Sequence, residues 1–126
     1  MITDILIEPV GRTFEVAEVE AFVESLPHAA RDAFAPTIFM VAYDADSLDD
    51  AREARRADPK RYPTSVILID VTAQRIDIAF RTQFTAPARR LVDWLRGRYE
   101  LKIMDEAFTD LTAESRDLDF LFGSEP

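Results

Sequence analysis

The sequence predicts an α/β fold, with α+β as the alternative: a mixed four- to five-stranded sheet with packed helices, in the order β-α-β-α-β-β-α-β-α. Three observations carry that expectation. Thr37–Tyr43 and Thr64–Asp70 are almost continuously apolar, as strands covered on both faces are. The stretches around them place apolar residues at helical spacing. Arg75–Arg81 alternates, with Ile76, Ile78 and Phe80 on one side and charged residues or alanine on the other, as a strand with one wet face does.

The first strand is expected over Thr3–Glu8, where Ile5 and Ile7 share a face, and Pro9 and Gly11 end it. Thr13 is placed to cap a helix over Phe14–Leu26, with Glu15 and Glu18 in the first turn, where the helix dipole favours acids. Val16, Val19, Phe22, Val23 and Leu26 fall on one stripe, and Pro27 closes the helix. Pro27–Phe34 is expected to add one helical turn. After the strand at 37–43, Ser47 is placed to cap a helix through Ala57 whose apolar stripe is thin: Leu48, Ala51 and Ala54. The prolines of Asp58–Pro63 interrupt the chain before the strand at 64–70. A helix between two strands predicts that these are parallel neighbours. The alternating stretch at 75–81 then completes a hairpin. Thr85 caps a third helix with Pro87 in its first turn; Leu91, Val92, Trp94 and Leu95 form its buried face, and Gly97 stops it. Tyr99, Leu101 and Ile103 alternate as a last strand, and a short helix is expected over Ala113–Phe122. Phe39, Val41, Ile67, Ile69, Ile78, Leu91 and Leu95 are the expected core.

At 126 residues the chain fits one domain, 1–126, with 105–126 as a C-terminal appendage if it does not pack on the rest. It has no cysteine, which excludes disulfides, thiolate metal sites and cysteine nucleophiles. Met-Ile-Thr-Asp-Ile has neither the basic stretch nor the apolar run of a signal peptide, and the expected location is cytoplasmic. A net charge of −9 points away from nucleic acid and membrane surfaces as partners. That charge is unevenly spread. Residues 1–51 hold 2 basic and 11 acidic side chains, residues 52–102 hold 12 and 6, and residues 103–126 hold 1 and 7. Either these parts neutralise one another across the folded surface, or they form separate acidic and basic faces.

Few residues present themselves for chemistry. Asp44 and Asp46 follow one buried strand and Asp70 ends its expected neighbour. If the strands are parallel the three carboxylates gather at one sheet edge, where ligands of open α/β sheets bind. They would then be magnesium ligands, with Asp44 as base or nucleophile and Arg75 or Arg81 clamping a phosphate. Asp and Ser at strand ends equally serve as caps and turn formers. His28, the single histidine, reads as a solvated loop residue. Arg52, Arg55, Arg56, Lys60 and Arg61 surround the second helix, and Arg89, Arg90, Arg96 and Arg98 decorate the third. Arg89 and Arg96 share a face that is either solvated or a docking site for an acidic group. Leu118, Leu121 and Phe122 make an apolar stripe that packs on its own domain or docks on a partner, and Asp117–Leu121 resembles short clamp-binding peptides.

The layout from Phe39 to Leu95 is similar to that of small α/β domains of the TPM type, with Val66–Asp70 and Arg75–Ile78 in the place of their hairpin. Taken together, small size, acidity and the lack of a catalytic set predict a non-catalytic interaction protein without cofactor: an inhibitor, an immunity-type protein or an adaptor. Its protein partner would be basic, because acidic surfaces speed encounter with basic ones. Asp46, Asp49 and Asp50 after the central strand, and Asp105, Glu106 and Asp110 after the last one, are its expected contacts, with Arg89 and Arg96 as the competing surface. The alternative is a magnesium-dependent phosphoryl-transfer enzyme or nucleotide-binding domain using Asp44, Asp46 and Asp70.

Overall fold

The computed structural model describes residues 4–80 and 83–123. Its class is mixed α and β, with more strands than the sequence suggests and a different pairing. The elements run β1 (Asp4–Pro9), α1 (Val16–Glu24), β2 (Ala29–Arg31), β3 (Ile38–Val41), α2 (Ala45–Ala57), β4 (Ile67–Val71), β5 (Ile76–Ala79), α3 (Ala86–Arg96), β6 (Leu101–Asp105), a 3-10 turn (Glu114–Arg116) and α4 (Leu118–Phe122). Six strands form one sheet in the order β2-β3-β4-β5-β1-β6. Every neighbouring pair is antiparallel. The expected mixed sheet of four or five strands is therefore corrected to a six-stranded antiparallel one.

The strand missed in the sequence is β2. Pro27–Phe34 does not add a helical turn. His28 takes a positive φ of 58°, its carbonyl accepts from the Ala42 amide, and Ala29–Arg31 then pair with Val41–Phe39. The Asp32 carboxylate accepts from the amides of Phe34 and Ala35 at 2.9 and 2.7 Å, which closes the turn into β3. A three-residue strand of Ala-Ala-Arg has too little pattern to be seen by alternation.

The second correction concerns direction. β3 and β4 were expected to be parallel, but Val41 lies opposite Ile67 and Ile38 opposite Asp70. The reason lies in the connection. α2 runs back from the end of β3 to its beginning, where Arg55 meets Asp32. Thirteen helical residues cover about 20 Å. The chain from 58 to 66 can span about 30 Å when extended, enough to retrace that path. It returns over the sheet and buries Val66 against Met40, Ala42, Leu48 and Ala51. β4 therefore starts where β3 ended.

The main core lies on one face of the sheet. Ile5 and Ile7 of β1, Phe39 and Val41 of β3, Ile67 and Ile69 of β4, Ile76 and Ile78 of β5 and Ile103 of β6 meet Val19 and Val23 of α1 and Leu91, Val92 and Leu95 of α3. Leu121 and Phe122 of α4 join the same core, so the C-terminal stripe packs on the rest of the chain. All seven residues expected in the core are in it. Trp94 stacks on Phe22 at 4.6 Å, and Phe14 meets Tyr99 edge-on at 4.9 Å. On the opposite face α2 covers only the β2–β3 end, through Leu48 and Ala51 on Ala30, Met40 and Ala42.

Capping differs in detail. Asp44, not Ser47, is the N-cap of α2, and its carboxylate accepts from the Ser47 amide at 2.7 Å. Glu15 rather than Thr13 stands at the N-cap of α1. Thr85 occupies the N-cap of α3 without a side-chain hydrogen bond. Among the described residues no helix is long and apolar enough to cross a membrane.

Candidate functional site

The antiparallel sheet fixes where the acidic residues go. β3, β5 and β6 run in one direction and β1, β2 and β4 in the other. The ends of β3 and β6 therefore share one edge of the sheet. Asp44 and Asp46 follow β3 there, α2 with Asp49 and Asp50 starts there, and Asp105 and Glu106 follow β6. Asp4 opens β1 at the same edge. The two groups expected as contacts thus lie along one edge. Asp110 folds back beside β6, forming a bridge with Met104.

Local hydrogen bonds hold several of these carboxylates. Asp44 stays below the usual carboxylate range because the Ser47 amide donates to it. Asp110 is lowered by the Thr112 hydroxyl and amide, at 2.6 and 2.9 Å. Asp105 Oδ1 accepts from the amides of Ala107 and Thr109, both at 2.9 Å. That loop holds Phe108 at a φ of 62°, a left-handed conformation that an aromatic residue seldom adopts, and leaves it 63% exposed.

The proposed magnesium trio does not form. Asp70 pairs with Ile38 at the start of β3, whereas Asp44 lies six residues further along the chain, close to 20 Å for extended backbone. No group of three His, Asp or Glu side chains among the described residues could hold a metal ion. Asp44 is a helix cap, and His28 is exposed in a turn. Arg81 lies outside the described residues, and Arg75 binds Asp77.

The arginines are largely structural. Arg89 Nη2 meets Asp119 Oδ1 at 2.8 Å and donates to the Gly123 carbonyl, and its guanidinium lies 5.8 Å from the centre of the Phe122 ring. Arg96 donates to the Ser115 carbonyl, and burial pulls its pKa down. Together they strap the C-terminal segment to α3. The clamp-peptide likeness of Asp117–Leu121 meets the same packing, because Leu121 is buried. Arg55, read from the sequence as one of a surface group, is buried in place of Ala54 on the α2 stripe. Its Nε and Nη2 donate to Asp32 at 2.9 and 3.1 Å, it donates to the Pro59 carbonyl, and Tyr62 stacks on it at 3.9 Å. A run of five basic residues gives no sign of which one is buried.

What the sequence reading missed is the sheet face that the described helices leave uncovered. α1, α3 and α4 contribute their buried side chains to the core on the other face, and α2 packs only at the β2–β3 end. Over β4, β5 and β1 this leaves a groove of about 450 Å³. Leu6, Ile38, Leu68 and Ala79 are among its apolar parts. Among the described residues Asp4, Asp70, Asp77 and Glu106 bring four carboxylates and Arg75 a guanidinium to its lining, and Phe108 stands at its side. A smaller hollow of about 210 Å³ adjoins it at Leu68 and Ala79, walled by Tyr62, Pro63 and Thr64 of the returning segment. The alternation of β5 contained the signal, since its wet face must point somewhere. Which face α2 would cover was not legible.

No protein-family model matches the chain, and neither a curated protein nor a solved structure matches it. The likeness in layout to TPM-type domains thus gains no support from these comparisons.

Proposed function

We propose that this chain is a non-catalytic interaction protein, of the inhibitor, immunity or adaptor kind, that binds a basic protein partner. The observation that supports this reading is the uncovered sheet face, apolar at its floor and lined by four carboxylates. It adjoins the edge where Asp46, Asp49, Asp50, Asp105 and Glu106 collect. A surface of this sign attracts basic partners and repels phosphate backbones and anionic lipid. The phosphoryl-transfer alternative has less support, because Asp70 lies opposite Ile38 at the far end of β3 from Asp44 and Asp46. The competing surface, Arg89 and Arg96 on α3, is occupied by bonds within the chain.

The test is kinetic. A partner is recovered by affinity capture, identified by mass spectrometry and mixed with the protein by stopped flow at two salt concentrations. Association should slow steeply with salt, since exposed charges are screened beyond roughly 8–10 Å at physiological ionic strength. Neutralising Asp46, Asp49 and Asp50 together should slow it several-fold. A rate indifferent to salt and to these substitutions refutes the reading.

A further inference from the structure

We propose that the groove on the uncovered sheet face receives an arginine side chain of the partner, with Asp70 as its anchoring carboxylate. This rests on the interaction reading above and deepens it by naming the group that enters.

Asp70 of β4 lies directly opposite Asp77 of β5. Like charges in that position destabilise a sheet. Asp77 is compensated within the chain: Arg75 Nε donates to its Oδ1 at 2.6 Å and Nη2 to its Oδ2 at 3.2 Å. Asp70 is not compensated in this way. Its Oδ1 is shut off from solvent and accepts no hydrogen bond among the described residues. The folded protein thus bears the desolvation of that oxygen without a return. An incoming cation would offset that cost by neutralising the carboxylate as a whole.

The surroundings favour guanidinium over ammonium. A guanidinium is planar and weakly hydrated and lies flat on apolar or aromatic surface. Leu6, Leu68 and Ala79 provide apolar surface beside Asp70, and Phe108 offers a ring at the side of the groove. A cation leaving the groove across that ring gains a further attraction. The Arg75–Asp77 pair shows the same chemistry within the chain. The volume of about 450 Å³ suits one long side chain and its neighbours. Phe108 is held at a strained, positive φ with its ring in solvent, and such strain tends to collect at binding surfaces.

The test uses the whole protein, labelled with nitrogen-15, titrated at low salt with hexa-arginine and hexa-lysine peptides. Amide shifts at Asp70 and Asp77 are expected to saturate, with hexa-arginine bound about threefold or more tightly than hexa-lysine. Asp70→Asn should remove that preference. It should also melt about 1–4 °C higher, because a repulsion between opposite residues is relieved. Shifts confined to Asp46, Asp49, Asp50 and Asp105 overturn the groove anchor but leave the interaction reading standing, and this map needs no variant. Asp70→Asn that melts lower and binds as before shows a structural carboxylate and also overturns the proposal. Absence of binding by either peptide overturns it too, while the kinetics with the captured partner decide the broader reading separately.

Discussion

Arg55→Ala, which removes a buried guanidinium, should destabilise this protein strongly. The side chain of Asp32 is 0% exposed and that of Arg55 4%. Burial by itself would push the Asp32 carboxyl up. The two Arg55 bonds and the amides of Phe34 and Ala35 outweigh that and hold it below its ordinary 3.8. Removing Arg55 leaves a buried carboxylate with only the two amides and frees the carbonyls of Pro59 and Arg61, to which Arg55 also donates. Breaking a buried pair from one side costs about 3–5 kcal/mol. That is a large share of the 5–15 kcal/mol typical of whole domains. Urea unfolding followed by Trp94 fluorescence measures it. The pH dependence gives an independent check. A lowered carboxyl adds stability that is fully present above 3.8 and is lost as the pH falls through its folded value. Asp32→Asn should therefore lose part of the acid sensitivity expected of the unsubstituted protein below pH 3.8. A loss below about 1 kcal/mol for Arg55→Ala would refute the argument that this pair ties α2 and its return segment to the β2–β3 turn.

Other outcomes follow from the same structure. Leu91→Ala, at a fully buried position on α3, should cost on the order of 2–5 kcal/mol in urea unfolding; a loss under about half a kcal/mol would mean that α3 is not docked as described. Magnesium should raise the melting temperature no more than an equal ionic strength of sodium does, whereas a saturating site would add about 2.7 kcal/mol at a hundredfold excess over its dissociation constant. Arg89→Ala should speed amide exchange over Leu118–Phe122 while leaving the β1–β5–β4 amides protected, because its bonds to Asp119 and Gly123 hold that helix to α3.

Some of this protein is written locally and some is not. Ile5 and Ile7, Ile76 and Ile78, and Val19 and Val23 announced strand, strand and helix because period-two and period-3.6 patterns arise from each segment's own geometry. The core followed from the same patterns, and so did the acidic composition of the segments after β3 and β6. Strand direction was not legible: β4 antiparallel to β3 depends on a return path over the sheet, and a helix between two strands is equally compatible with a crossover. β2 escaped because three residues carry no period and its pairing is made by Phe39–Val41. The burial of Arg55 depended on a partner 23 positions away. The groove belongs to the tertiary level altogether. Asp4, Asp70 and Asp77 come from three strands and Glu106 from the turn after β6, and only the packing of α1, α3 and α4 on one face with α2 at one end of the other leaves them lining one groove. Side-chain periodicity is a property of neighbours in sequence, while which face stays uncovered is a property of how all the helices share one sheet.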